Sequence, residues 1–220
     1  MKIAVLGTGM VGETIGSKLV ELGHDVRMGS RTATNEKAAA WAKKAGAKAS
    51  AGTYADAAAF GELVFNCTAG NGSVEALAMA GEANLDGKVV VDIANPLDFS
   101  KGMPPSLFVS NTDSLGEQLQ KRFPKTHVVK ALNTMSCSIM VNPRSLPDTH
   151  TTFLSGNDAA AKAKVKGVLA QFGWKDEEML DLGDITTARG SESILPVWLR
   201  IWGATKNGAF NLKIVAAKSS

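Results

Sequence analysis

The chain has 220 residues, 24 Lys and Arg against 21 Asp and Glu, a net charge of +3 and 45% hydrophobic residues. That length supports one large domain whose core needs no metal or disulfide, and the small charge excludes a nucleic-acid module, since no basic run exceeds Lys43-Lys44 and no aromatics interleave with basic residues. Two cysteines without metal-ligand spacing, Cys67 and Cys137, read as free thiols of a cytoplasmic protein. No apolar run reaches the ~18 residues of a membrane span, and glycines soon after Lys2 break any secretory signal.

Residues 3–6 are an apolar run stopped by Gly7, which reads as a buried strand. Val11, Ile15, Leu19 and Leu22 then recur at helical spacing, and Gly23 closes that helix. A second strand follows at 26–28. Thr34 or Asn35 caps an alanine-rich helix reaching Ala45, and "GAKAS" (46–50) is a weak third strand. "LVFNCT" (63–68), "KVVVDI" (88–93) and "THVVKAL" (126–132) are further strands, with helices at 54–60, 73–80 and 114–123 between them. Strand alternating with helix predicts an α/β fold whose sheet is mostly parallel and covered on both faces. The "MPPS" stretch (103–106) is a loop. "HTTFLSG" (150–156) is another strand. Val165, Val168, Leu169 and Phe172 form a helix face capped by Asn157 or Asp158, and 173–183 reads as an edge strand.

The expected division is a main domain over 1–150 and a strand–helix extension over 151–220 packed on it. In "ESILPVWLRIWG", Ile194, Leu195, Val197, Trp198, Leu199, Ile201 and Trp202 are apolar nearly all round, with Pro196 in the first turn. Such a helix needs wide cover, either from its own domain or from a second subunit, and a homodimer is the expectation.

Gly7-Thr8-Gly9-Met10-Val11-Gly12 is GxGxxG, placed between a strand and an amphipathic helix as a dinucleotide site requires. Gly7 allows the tight turn, Gly9 the approach of a pyrophosphate and Gly12 the close packing of helix on strand. The pyrophosphate would rest on the free N–H groups of the helix start. An NAD enzyme offers a carboxylate to the ribose 2′-OH at the end of the second strand. Here Ser30 and Arg31 stand at that position, with Lys37 one turn into the next helix. A 2′-phosphate needs donors and cations, so the expected cofactor is NADP(H).

Titratable groups at the strand ends are few, and no catalytic acid or base and no metal ligand set is assigned. His24 follows a helix and His127 begins a strand, the wrong ends for a site at the strand C-termini; His150 is given no catalytic role either. Lys130 and Asp92 lie within strands, where charge pairing at the sheet edge or an orienting contact to backbone is expected of them. Asn95 and Asn133 are candidates to bond the nicotinamide carboxamide, with turn formation as the alternative, particularly for Asn95 before Pro96.

"GTGMVGETIGSKLVELGHDVRMGSRT", "VVVDIANPLD", "VVKALNTMSC" and the closing "NLKIV" together resemble the NADP-dependent coenzyme F420 oxidoreductases, and the NADPH domains of the STEAP metalloreductases are similar as well. The resemblance covers nearly the whole chain and implies a Rossmann fold, doubly wound on a mostly parallel sheet, with an NADP-binding domain over 1–150 and a small C-terminal helical cap. It further implies hydride transfer between nicotinamide C4 and a deazaflavin or flavin ring, with coenzyme F420, FMN or FAD as acceptor and a dimeric assembly. It places Thr8, Ser30 and Arg31 at the 2′-phosphate, Met10 and Val11 against the pyrophosphate, and Thr68 and Ala69 beside the ribose and nicotinamide. Residues 93–96 and 131–134 would end two strands where the rings meet. An imine or hydroxyacid reductase shares the glycine loop but normally carries a long helical second domain; a non-catalytic NADP(H) sensor would also fit the scarcity of catalytic side chains.

Overall fold

Ile3, Ala4, Val5 and Leu6 are all fully buried, as are Leu63, Val64 and Phe65, because their strands are covered on both faces. The computed structural model describes residues 1–217; residues 218–220, the end of the expected extension, lie outside the described residues. The elements in order are β1 (Lys2–Leu6), α1 (Met10–Glu21), β2 (Asp25–Ser30), α2 (Glu36–Ala45), β3 (Ala49–Thr53), α3 (Tyr54–Phe60), β4 (Leu63–Asn66), α4 (Gly70–Ala80), α5 (Glu82–Leu85), β5 (Val89–Asp92), β6 (Leu97–Asp98), β7 (Ser106–Leu107), α6 (Leu115–Arg122), β8 (His127–Ala131), α7 (Cys137–Val141), β9 (Thr152–Ser155), α8 (Ala159–Phe172), β10 (Met179–Gly183), α9 (Ala188–Ser193) and α10 (Leu195–Thr205).

Eight strands form one sheet in the order β10-β9-β8-β5-β4-β1-β2-β3. Every pairing is parallel except β8 with β9, where Lys130 faces Ser155. The order reverses between β1 and β4, which is the switch point at which α/β sheets bind ligands. Strand alternation splits the core. Ile3 and Val5 pack with Ile15, Leu19, Trp41 and the α8 face on one side. Ala4 and Leu6 pack with Ala57, Leu77, Leu115 and Leu119 on the other. The expected doubly wound, mostly parallel α/β architecture is present, with helices at the C-terminal end.

Several boundaries differ from the sequence reading. The third strand occupies 49–53, not 46–50: Gly46 ends α2 at φ +99°, and the Ala49 N–H bonds back to its carbonyl, so 46–48 are consumed by the reversal. Helix α4 starts at Gly70, three residues before the expected 73, and the poor helix formers Gly70 and Gly72 hide that first turn in the sequence. A Cβ at Gly70 would stand 2.0 Å from the Asn95 carbonyl oxygen. In 173–183 only Met179–Gly183 is strand, and Asp176–Glu178 is a single 3₁₀ turn. The β6–β7 hairpin and helices α5, α7 and α9 are too short to show a period, and the "MPPS" loop ends in β7. Asn35 and Asp158 are the caps used, each accepting a bond from the N–H three residues on.

Helix α10 begins as expected, with Pro196 in its first turn. Its apolar face is largely uncovered: Leu195 is buried, but Val197 is 56% exposed and Trp202 38%. Beyond Lys206 (φ +56°) the tail returns to the sheet. The Thr151 N–H donates to the Leu212 carbonyl at 2.8 Å, Asn211 Nδ2 donates to the Thr151 carbonyl at 3.0 Å, and Phe210 stacks on Trp198 at 5.2 Å. No described helix is long and apolar enough to cross a membrane.

Candidate functional site

The glycine turn closes on itself tightly. Gly7 has φ +117°, and a Cβ there would lie 2.6 Å from the Cys67 carbonyl oxygen; a Cβ on Gly12 would lie 2.1 Å from the Gly7 oxygen. Both positions therefore require glycine. Gly9 is different, since a Cβ there meets nothing within 4 Å, and the space above it is open. Gly9 is also the N-cap of α1, and no side chain caps that end. The first N–H groups of a helix have no intrahelical partner, so an uncapped terminus under open space is a ready cradle for an anion.

Two cavities extend from this turn. One, of about 480 Å³, is lined by Thr8, Gly9, Met10, Glu13, Lys37, Trp41 and neighbours. It brings together Thr8 and Lys37, which sequence reading had assigned to one phosphate. Arg31, at the end of β2, is exposed, and its guanidinium lies on the other flank, with Nη2 3.9 Å from the Cβ position of Gly72 at the start of α4. Among the described residues, neither Arg31, just after β2, nor Lys37, in the first turn of α2, has a carboxylate within 4.0 Å, so both are unneutralised cations. Ser30 is buried, and its hydroxyl proton goes to the Thr32 carbonyl at 2.6 Å. Its observed role is to fold the 30–32 turn.

The second cavity, of about 310 Å³, is lined by Val11, Cys67, Thr68, Ala69, Gly70, Asn71, Ile93, Ala94, Asn95, Leu97 and Phe99. It gathers the expected Val11, Thr68, Ala69 and Asn95. An adjoining cavity of about 500 Å³ shares Gly70, Asn71, Leu97 and Phe99 as a common wall and adds Val74, Phe108, Leu115 and Gln118. Phe99 and Phe108 come from the β6–β7 hairpin, which sequence reading missed. Both rings are substantially exposed.

A buried polar network lies under these cavities. Asn66 Nδ2 donates to Asp92 Oδ1 at 2.8 Å, and Thr68 Oγ1 donates to Asn66 Oδ1 at 2.7 Å. Lys130 lies 2.5 Å from Asp92 and 2.7 Å from Glu192 and donates to the Ala94 carbonyl at 2.8 Å. Lys130 is thus paired and bonded to backbone as expected, but in the sheet interior and not at an edge. Asn66 in "LVFN" and Lys130 in "VVKAL" were visible signals, being polar residues inside apolar strands; Glu192 carried none.

Asn95 and Asn133 engage one another. Asn95 Nδ2 donates to the Asn133 carbonyl at 2.8 Å, and Asn133 Nδ2 donates to Asn95 Oδ1 at 3.0 Å. Asn133 is buried and follows Leu132, whose φ of +61° is costly for a non-glycine residue. The pair locks the ends of β5 and β8 together. The histidines lie away from these cavities: His24 bonds Gln171, His127 faces Asp158, and His150 packs on Trp174 and bonds the Pro143 carbonyl. Burial pushes the Cys67 thiol far above its ordinary value, so it stays protonated in the cavity wall. No cluster of His, Cys, Asp and Glu able to hold a metal occurs among the described residues.

Known proteins place this arrangement. A family profile described as NADP oxidoreductase, coenzyme F420-dependent, matches residues 2–96. The metalloreductase STEAP3 of Rattus norvegicus is 27% identical over 202 residues, covering 90% of this chain, and the chain spans 38% of that curated relative's length. A protein of Arthrobacter sp. FB24 assigned as an F420-dependent NADP-reductase is 51% identical, with 98% of this chain and 100% of that one covered and a TM-score of 0.92. The imine reductase of Streptomyces aurantiacus shares the fold at TM-score 0.65 and 17% identity, over 94% of this chain and 63% of its own. With half its residues identical to the Arthrobacter protein along the full length, the chain belongs to the family of coenzyme F420-dependent NADP oxidoreductases.

Proposed function

We propose that the protein transfers a hydride between NADPH and a deazaflavin or flavin ring, with coenzyme F420, FMN and FAD as the candidate acceptors. The observation that carries this reading is the pair of contiguous cavities at the sheet switch point. One lies beside the glycine turn and the strand ends, and the other is walled by Phe99, Phe108, Val74 and Leu115. Two stacked rings need such adjoining space.

The residues fit NADP(H). The uncapped start of α1 at Gly9-Met10-Val11 would hold the pyrophosphate. Arg31, Lys37 and Thr8, with Ser30 shaping the turn, would hold the 2′-phosphate, and the Arg31 plane also suits stacking on adenine. Thr68, Ala69 and Asn95 would line the ribose and nicotinamide, with Asn133 beneath them holding Asn95 in place. When bound, the cofactor supplies the hydride at nicotinamide C4. The protein orients the rings and excludes water, work that needs no titratable side chain. That agrees with the lining of the two cavities, where Asp98 is the one charged residue.

The open face of α10 supports a homodimer, with Val197 and Trp202 buried against a second copy. The extension 151–220 would then be the dimer-forming part. The test of function is steady-state NADPH oxidation with each acceptor; NADPH binding without turnover of any of them would sink the hydride-transfer reading and favour a sensor.

A further inference from the structure

Lys130 is among the most deeply buried charges of the described residues, no reaction step uses it, and its contacts span the two cavities. Its side chain is 1% exposed, and an ammonium has three protons to give. They meet Asp92, Glu192 and the Ala94 carbonyl. Ala94 lines the cavity assigned to the nicotinamide. Glu192, from α9, accepts from the N–H groups of Leu115 at 2.8 Å and Gly116 at 3.0 Å, the first two residues of α6. Leu115 lines the adjoining cavity. The path Ala94–Lys130–Glu192–Leu115 therefore ties the floor of one cavity to the wall of the other.

The floor is fixed on its remaining sides too. The Ala94 N–H donates to Asp92 Oδ1 at 3.2 Å, and the Asn95 carbonyl is so close to Gly70 that a Cβ there could not fit. A buried ion pair is poor evidence of stabilisation, because apolar replacements of similar volume are often neutral or stabilising; the role argued for this network is to hold one geometry. Burial pushes the Lys130 pKa down, but Asp92 and Glu192 outweigh it and leave the group above the ordinary lysine value, so it is a fixed cation and no proton donor.

We propose that Lys130 and Glu192 are positioning residues that set the distance between the nicotinamide wall and the acceptor wall, an inference that rests on the hydride-transfer reading above. Glu192→Gln keeps the side-chain volume and one acceptor oxygen, and Lys130→Arg keeps the charge. Each variant would be assayed with NADPH and whichever of F420, FMN or FAD the unaltered protein reduces, using 4-deuterated NADPH for the isotope effect. In parallel, the fluorescence of bound NADPH would be recorded with no acceptor present.

For Glu192→Gln, NADPH affinity should stay within about threefold, since the phosphate contacts are untouched, while kcat falls at least about tenfold, the isotope effect rises and the bound nicotinamide emission shifts. Lys130→Arg should retain more activity than Lys130→Met. A folded Glu192→Gln protein with wild-type kcat, isotope effect and emission overturns the proposal. So does failure of that variant to fold, which would make the network a folding element alone. If the unaltered protein turns over no acceptor, the hydride-transfer reading fails by itself, and the emission of bound NADPH then decides: a shift supports positioning, and an unchanged spectrum overturns it.

Discussion

Arg31 and Lys37 are cations without acid partners among the described residues, flanking a glycine turn. Replacing Arg31 by Asp removes a charge-assisted contact of about 1.5–3 kcal/mol and adds repulsion, so NADPH affinity should fall by roughly 10- to 100-fold or more while NADH affinity holds or improves. Titration of nicotinamide fluorescence with both nucleotides checks this, and equal losses would remove Arg31 from the 2′-phosphate. Gly12→Ala should fail differently. Its new Cβ would sit 2.1 Å from the Gly7 oxygen, so α1 must leave the turn. A loss of more than about 2 kcal/mol in unfolding free energy is expected, with NADPH binding lost alongside. Gly9→Ala has open space at that point and should fold normally, yet bind NADPH more weakly.

Helix α9 is docked on α6 by Glu192 and by Arg189, whose guanidinium donates to both Glu117 carboxylate oxygens, at 2.8 and 2.5 Å. The Arg189 hydrogen bonds hold the Glu117 carboxyl below the ordinary value. A depressed carboxylate stabilises the fold above the unfolded pKa of a glutamate, and that contribution is lost as pH falls through the folded pKa. Urea unfolding over a pH series should show Arg189→Gln weaker than wild type near neutrality and converging with it in acid; parallel curves would contradict this. Lys130 has the opposite sign: its raised pKa keeps its contribution intact below the ordinary lysine value of 10.5, and the contribution is lost as pH rises from there through the folded pKa. Neither helix contact was legible in the sequence. The N-terminal βαβ unit was, because strand, glycine turn, helix and the Ser30–Arg31 pair follow each other locally. Glu192 reaches α6 across 77 residues of chain from a helix of one and a half turns, and the β6–β7 hairpin has two-residue strands. Only tertiary packing defines such pieces.

The molecule as a whole is built on one eight-stranded sheet, with the candidate site at its switch point and the apolar helix α10 after its last strand. The tail of 207–217 covers Trp198 but leaves Val197 and Trp202 open. Charging that face with Val197→Asp should convert a dimer to a monomer that still binds NADPH, as read by sedimentation velocity; a wild-type protein already monomeric at high concentration would contradict the dimer. The measurement that tests the central claim most directly is oxidation of NADPH by the purified protein with coenzyme F420, FMN or FAD in parallel, against a blank without acceptor. Rapid loss of nicotinamide absorbance with at least one of the three, abolished by Arg31→Asp at low NADPH, is the result predicted. Tight NADPH binding with no oxidation by any of them would contradict hydride transfer to a deazaflavin or flavin.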